Sequence, residues 1–238
     1  GYSNIQKLME RNKDCTFDFF VHCWGENNTT LQCSPWRKKY IQHELKIENM
    51  EEIKNDLMNF YDPIKYEFQK PILHFDLSKI TNSIAFNNMT IVKKQNIHNT
   101  LSNIYSKSRV RDILHDYISE AGAIYDLVIA TRFDSNTHKG KFKYDKLILD
   151  DLPKTKVCAF PARPTNRYII NDEFIICPQD NYLNIFNLYG NISNIVSNRD
   201  IERKITEVNE KHELNMEEYL LENYLYHYDI ENVEYCKL

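Results

Sequence analysis

A short apolar run, Leu127 to Ala130, constrains the fold of this chain more than any other segment. It is too short and too rich in β-branched residues for a helix, and polar residues bound it on both sides, so it predicts a buried strand. The run is soon followed by Arg132-Phe133-Asp134, and side chains two residues apart on an extended chain lie on the same side. Open α/β sheets bind ligands at the carboxyl ends of their strands. Arg132 and Asp134 are therefore candidates to hold a diphosphate and a metal ion, and the alternative is an ion pair with a structural role.

The spacing of apolar residues predicts an α/β fold in one domain, residues 1–238. Only five glycines and seven prolines interrupt the sequence, which favours long elements and compact loops. Strands that are separated by helical patterns are typical of the α/β class. The predicted helices span residues 3–12, 48–60, 96–121, 180–196 and 217–226. The predicted strands span 17–24, 65–69, 127–130, 156–160 and 168–170, and residues 174–177 form another apolar run.

Three further segments have a local prediction. Residues 30–42 are predicted to form a loop that leads into a weak helix, with Pro35 as a breaker. Residues 73–89 are polar and are predicted to form a loop with a little helix. Gly122 is predicted to end the long helix of residues 96–121.

Composition and charge limit the classes of function. Hydrophobic residues make up 42% and aromatic residues 13% of the chain, as expected of a folded globular protein. The net charge of −4 argues against a general nucleic-acid binder. No apolar run is long enough to cross a bilayer, the first residues lack the pattern of a signal peptide, and the six cysteines form no CxxC pair. These features predict a cytoplasmic protein with reduced thiols and no transmembrane segment.

Several segments, in this order along the chain, resemble a family of GT-A-like glycosyltransferases found in bacterial surface-polysaccharide clusters and in large DNA viruses. The most specific segment is Tyr125 to Asp134 (YDLVIATRFD). The others are Phe17 to Trp24 (FDFFVHCW), which matches a D-x-F-x-H-x-W strand, Tyr61-Asp62-Pro63 followed by Glu67, Ser102 to Ser106 (SNIYS), Asn171 to Phe174 (NDEF) and the late helix Glu218 to His227.

The resemblance implies a GT-A-like (Rossmann-like) fold, with a mixed, mostly parallel sheet flanked by helices. It also implies a nucleotide-sugar donor and a glycan acceptor, in the synthesis of surface polysaccharide or of glycoprotein glycans. Members of the family begin with a strand and a Gly-x-x-Arg-type loop, whereas this sequence begins at the position of the helix that follows. Arg-Phe-Asp also stands where many GT-A enzymes have Asp-x-Asp, so one carboxylate is available there and dependence on a metal stays open.

The resemblance and the chemistry of glycosyl transfer together suggest roles for five residues. Asp134 is the candidate ligand of Mg²⁺ or Mn²⁺, because hard cations prefer carboxylate oxygens, and Arg132 is the candidate phosphate contact. GT-A enzymes often use a late histidine as a further ligand, so His227 is a candidate for the metal site, with a surface histidine as the alternative. Asp172 is the candidate general base and Glu173 the second choice. The alternative for both carboxylates is that they cap the following element.

Four more residues are candidates for the donor pocket. His22 belongs either to the sugar pocket or to the core as a hydrogen-bonded histidine. Trp24 is placed to stack on a sugar or a base, and burial explains it equally well. Ser102 and Tyr105 stand at the predicted start of the long helix, where they would donate hydrogen bonds to phosphate or sugar. Ser102 as an ordinary N-cap fits the same pattern.

Two other functions compete with the transferase interpretation. One is a non-catalytic protein of the same fold that binds a sugar or a nucleotide. The other is a metal-dependent phosphodiesterase or nuclease, which needs two or more acidic ligands around its metal, and no spacing in the sequence requires such a cluster. Donor binding separates a transferase from a phosphodiesterase, and turnover separates it from a binding protein.

Overall fold

The computed structural model describes residues 2–27, 29–32, 44–72, 74–81, 86–87, 97–132, 146–163, 166–197, 203 and 233–235. The helices are α1 (Tyr2–Arg11), α2 (Met50–Tyr61), α3 (Ile97–Ala121), α4 (Gln179–Ile185) and α5 (Leu188–Ser197), with 3-10 turns at Leu77–Lys79 and Leu149–Asp151. The strands are β1 (Phe20–Trp24), β2 (Thr29–Gln32), β3 (Glu44–Ile47), β4 (Lys65–Gln69), β5 (Val128–Thr131), β6 (Val157–Arg163), β7 (Asn166–Cys177) and β8 (Val233–Tyr235).

The described strands form three sheets. β1 and β4 are parallel, with Phe20 opposite Lys65 and Trp24 opposite Gln69. β2 and β3 form an antiparallel pair. The third sheet has the order β5-β7-β6-β8, in which β7 is antiparallel to both of its neighbours and β8 is parallel to β6. The protein is therefore of the mixed α/β class.

The pairing of the largest described sheet differs from the mostly parallel sheet that the sequence predicted. β6 ends at Arg163 and β7 begins at Asn166, and so short a connection joins only antiparallel strands, since a parallel pair needs a crossover of a dozen or more residues. The parallel character is found in the β1–β4 pair, where α2 lies between the two strands along the chain.

Most of the predicted elements are confirmed. α1, α2, α3, β1, β4 and β5 lie within one to three residues of their predicted bounds, and the chain has a positive φ of 65° at Gly122, directly after α3. Three predictions were wrong in detail. Residues 29–32 form a strand, β7 is one strand of 12 residues where a short strand and a separate apolar run were predicted, and residues 180–196 form two helices. The predicted helix of residues 217–226 lies outside the described residues.

Two groups of buried side chains hold these elements together. The larger group joins α3 to α4, α5 and one face of β7, through Ile97, Leu101, Ile104, Ile175 and Ile185 among others. The smaller group lies against α1 and contains Leu8, Leu147, Phe174 and Ile176. Because successive side chains of a strand point to opposite faces, β7 contributes to both groups and is buried on both sides in its last four residues. Within the described ranges, no helix has the length and apolar character that spanning a bilayer requires.

Candidate functional site

A cluster of polar and aromatic side chains lies at the carboxyl ends of β1 and β4. Because the two strands are parallel and Trp24 pairs with Gln69, their carboxyl ends meet at one edge, which is where α/β proteins bind ligands. Helix α3 packs across both strands and brings Tyr105 and Ser106 to the same place. We call these five residues, His22, Trp24, Gln69, Tyr105 and Ser106, the strand-end cluster.

His22 is the buried centre of the strand-end cluster, with 7% of its surface exposed. Its Nδ1 lies 2.7 Å from Ser106 Oγ and its Nε2 lies 3.2 Å from Gln69 Oε1. Burial is the main cause that lowers the pKa of His22, and the charge of Arg109 lowers it further. The hydrogen bond to Gln69 and the charge of Glu67 act in the opposite direction but do not reverse the shift. With both ring nitrogens bonded within the protein, His22 matches the interpretation of a hydrogen-bonded core histidine.

Trp24 and Tyr105 form the aromatic part of the strand-end cluster. Their rings stack, with centroids 5.4 Å apart and an angle of 26° between the planes. The rings of His22 and Trp24 are perpendicular, with centroids 4.8 Å apart. The ring of Tyr189 from α5 is nearly perpendicular to that of Tyr105, with centroids 5.0 Å apart. Trp24 and Tyr105 are partly exposed, so they offer an apolar surface of the kind that packs against the carbon face of a sugar.

An ion-pair network lies beside the strand-end cluster. Arg109 donates to both carboxylate oxygens of Glu67, from Nε at 3.0 Å and from Nη2 at 3.4 Å. It also donates to Asp112 at 3.0 Å, and Arg111 bonds the other oxygen of the same carboxylate. The hydrogen bond to Glu67 is the main cause that raises the pKa of Arg109. The positive charge of Arg109 is therefore matched by carboxylates on β4 and α3.

A second candidate region lies where β5 ends beside β7. Thr131 pairs with Phe174, so Arg132, which follows Thr131, and Glu173, which precedes Phe174, lie immediately beyond that pair on adjacent strands. The segment that leads to the predicted phosphate contact and the segment with the predicted base therefore run side by side. Tyr125, at the start of the same motif, donates to Asp18 at 2.7 Å, which connects this region to the residues before β1.

The structure brings together three of the residues predicted for the donor pocket, His22, Trp24 and Tyr105. Ser102 and Tyr105 were predicted at the start of the long helix, and this was wrong in position. Helix α3 begins at Ile97, so both residues lie inside it and Ser102 is not its N-cap. Asp172 and Glu173 belong to β7. Asp134 and His227 lie outside the described residues.

Sequence reasoning missed three residues of this region, Gln69, Ser106 and Arg109. Each of them contacts a partner at least 36 residues away along the chain. The one available signal was the alternation in β4, which places Glu67 and Gln69 on the same side of the strand.

The described residues do not show how a metal would be held. No three His, Cys, Asp or Glu side chains in the described part of the chain are grouped as ligands, and both predicted ligands, Asp134 and His227, lie outside that part. Comparison with known proteins does not supply the answer either: no protein-family model, curated protein or solved structure matches this chain significantly.

Proposed function

We propose that this chain is a GT-A-like glycosyltransferase that moves a sugar from a nucleotide-sugar donor to a glycan acceptor. One observation carries the proposal. Three segments that resemble the transferase family, residues 17–24, Glu67 and residues 102–106, are far apart in the sequence and meet at the carboxyl ends of two parallel strands. The carboxyl ends of parallel strands are where α/β proteins bind ligands, which supports a binding role for these segments.

The region where β5 ends beside β7 suits the reacting part of such a substrate. Negative charge builds on the departing diphosphate, and Arg132 is the proposed contact for it. The acceptor hydroxyl must lose a proton, for which Asp172, or else Glu173, is the proposed general base. Arg132 directly follows β5, and both candidate bases belong to the neighbouring strand β7, which supports the proposal of a shared reaction centre.

A divalent cation would neutralise the leaving diphosphate as a Lewis acid. Mg²⁺ or Mn²⁺ would be held by Asp134, with His227 as a second ligand. The binding of the nucleotide would then depend on the metal. If Arg132 alone contacted the phosphates, the nucleotide would bind without a metal.

A non-catalytic sugar-binding or nucleotide-binding protein is the second candidate. It is favoured by the chemistry of the strand-end cluster, whose aromatic and neutral polar groups suit binding. The neighbouring carboxylate of Glu67 is paired with Arg109. Turnover of a bound donor distinguishes the two functions.

Thermal stabilisation by a panel of donors is the first experiment. The panel contains UDP-glucose, UDP-N-acetylglucosamine, GDP-mannose and the free diphosphates UDP and GDP, each with Mn²⁺, with Mg²⁺ and with a chelator. We expect one nucleotide class to raise Tm, because a ligand that binds only the folded state stabilises it. If no donor or diphosphate raises Tm, the proposal is wrong.

Replacing the predicted metal ligand tests the reaction centre. We expect Asp134→Ala to lose sugar transfer and the metal-dependent part of the Tm shift, while the Tm of the free protein stays unchanged. Asp56→Ala is the control, since Asp56 is an exposed carboxylate on α2. Wild-type transfer by Asp134→Ala would contradict the assignment.

Replacing the predicted base separates turnover from binding. We expect Asp172→Asn to lower kcat by at least about a hundredfold, as is typical when a general base is removed, with little change in donor Kd. Glu173→Gln is the matched comparison on the same strand. If Asp172→Asn weakens donor binding at unchanged kcat, Asp172 is not the base.

A further inference from the structure

The hydrogen bonds of the strand-end cluster run in one direction. The amide of Gln69 places Oε1 toward His22 and Nε2 toward the hydroxyl of Tyr105. An amide oxygen only accepts, so His22 must carry a proton on Nε2. Burial favours the neutral ring, which leaves a lone pair on Nδ1 and makes Ser106 the donor at 2.7 Å. The sequence of donation is therefore Ser106 to His22 to Gln69 to Tyr105.

This direction determines what the hydroxyl of Tyr105 can do. The phenol oxygen accepts from Gln69 Nε2 at 3.2 Å. Within the described ranges no other group takes the proton of that hydroxyl, and the Tyr105 side chain is partly exposed. Among the described residues, the Tyr105 hydroxyl therefore keeps a proton that it can donate outside this series of hydrogen bonds, beside the ring of Trp24.

The charges near Tyr105 indicate what kind of group would accept this hydrogen bond. Arg109, one helical turn from Tyr105, is paired with Glu67 and Asp112. Lys70, which follows Gln69, is paired with Glu26 at 3.1 Å. A diphosphate calls for cations that are available to it, whereas an uncharged sugar ring needs hydroxyl-type donors and an aromatic surface.

We infer that the strand-end cluster is the sugar subsite: the Tyr105 hydroxyl, aimed by Ser106, His22 and Gln69, donates to an oxygen of the uncharged sugar that lies against Trp24 and Tyr105. The inference rests on the proposed function and names the part of the donor that this cluster recognises. Tyr105 touches the ligand. His22 and Gln69 are positioning residues that act through it.

The test compares a nucleotide sugar with its own diphosphate. For the donor of the panel that stabilises the wild type most, we expect Tyr105→Phe to weaken nucleotide-sugar binding roughly three- to tenfold, as the loss of one hydrogen bond predicts, and to leave the affinity for the free diphosphate unchanged. Tyr117→Phe is the matched control on α3, because Tyr117 contacts Phe20 and Lys65 and lies outside the cluster.

The positioning role predicts a pattern of rescue. His22→Asn cannot reach Gln69 and should weaken sugar binding as much as Tyr105→Phe does. His22→Gln keeps an N–H donor near the position of Nε2 and should restore most of the affinity. A purely structural role would instead make the affinity follow the Tm of each variant, which is measured alongside.

The tautomer of His22 gives a test that needs no ligand. Nitrogen-15 NMR of the wild type above pH 7 should show a protonated Nε2 and an unprotonated Nδ1 for His22, identified by the loss of its signals in His22→Gln. A proton on Nδ1 would reverse the sequence of donation and overturn the inference.

The possible failures are distinguishable. Equal losses for the sugar nucleotide and the diphosphate in Tyr105→Phe, or no loss in either, would overturn the sugar subsite while the transferase proposal stands. If no donor or diphosphate binds the wild type, both the proposed function and the sugar subsite are wrong.

Discussion

At the scale of single residues, His22 shows how position determines the role of a side chain. A histidine in the middle of a β-rich run can face a ligand or the interior, and the run itself fits both. In the structure it is 7% exposed, with Ser106 and Gln69 on its two ring nitrogens. The proposed binding surface consists of its partly exposed neighbours Trp24 and Tyr105, and His22 is the proposed positioning residue behind them.

The buried His22 should make folding sensitive to acid. Because burial holds its pKa in the folded state below the unfolded value, the unfolded chain binds the proton more readily. The free energy of unfolding should therefore fall as the pH drops below about 6.5, by up to about 1.4 kcal/mol per pH unit, until the folded-state pKa is reached. At pH values above the unfolded-state pKa, His22 should not make the free energy of unfolding depend on pH.

Urea unfolding at pH 7.5 and pH 5.5 measures this effect. His22→Gln should lose less stability between the two pH values than the wild type does. An unchanged pH dependence in His22→Gln would contradict the assignment.

At the scale of elements, helix α3 shows what local pattern does determine. Ile97, Leu101, Ile104 and Leu114 recur at helical spacing and are all buried, so the helix and its inward face follow from the sequence. Its end follows as well, because Gly122 has a φ of 65° and its N–H bonds the carbonyl of Ile118 at 2.9 Å.

Replacing Gly122 should destabilise the protein through the backbone alone. A Cβ built on Gly122 meets nothing within 4 Å, so the cost of Gly122→Ala comes from the left-handed conformation and should be about 1 kcal/mol. Gly122→Asn is the matched variant and should cost less, because asparagine tolerates this conformation better. Equal stability of the wild type and Gly122→Ala in chemical unfolding would contradict this explanation.

Strand β7 shows, also at the scale of elements, where the local pattern of apolar and polar residues misleads. The polar residues 171–173 separate a predicted short strand from a second apolar run, yet the structure has a single strand, Asn166–Cys177. The strand pairs with β6 on both sides of its polar part, which lies at a register shift, and with β5 after it. This pairing is not visible in the sequence of the strand itself.

At the scale of the whole molecule, one buried amide connects the N-terminal helix to a segment 135 residues away. Asn12 donates to the carbonyls of Leu8 at 2.8 Å and Leu147 at 2.9 Å, and its side-chain oxygen accepts from the N–H of Leu149 at 2.7 Å. These bonds hold α1 against the smaller apolar group, which includes Phe174.

Removing that amide should be costly. Asn12→Ala leaves a buried carbonyl and a buried N–H without their partner, and each such group costs about 1–3 kcal/mol, so we expect a loss of roughly 2–4 kcal/mol in the free energy of unfolding. Asn55→Ala, an exposed site on α2, should change stability little. If Asn12→Ala lowers the free energy of unfolding by less than about 1 kcal/mol, the backbone groups that Asn12 bonds have found other hydrogen-bond partners.

The sequence by itself determined the α/β class, the bounds of α1, α2, α3 and β4, and the candidacy of His22, Trp24 and Tyr105, because apolar spacing and motif residues are local properties of the chain. Only the tertiary structure decided that β7 pairs antiparallel and that Gln69, Ser106 and Arg109 complete the strand-end cluster and its ion pairs. A hydrogen bond between residues 84 apart, such as that of His22 and Ser106, depends on how a helix packs across two strands. Local spacing indicates which face of each element is buried, and the packing of those faces decides which side chains meet.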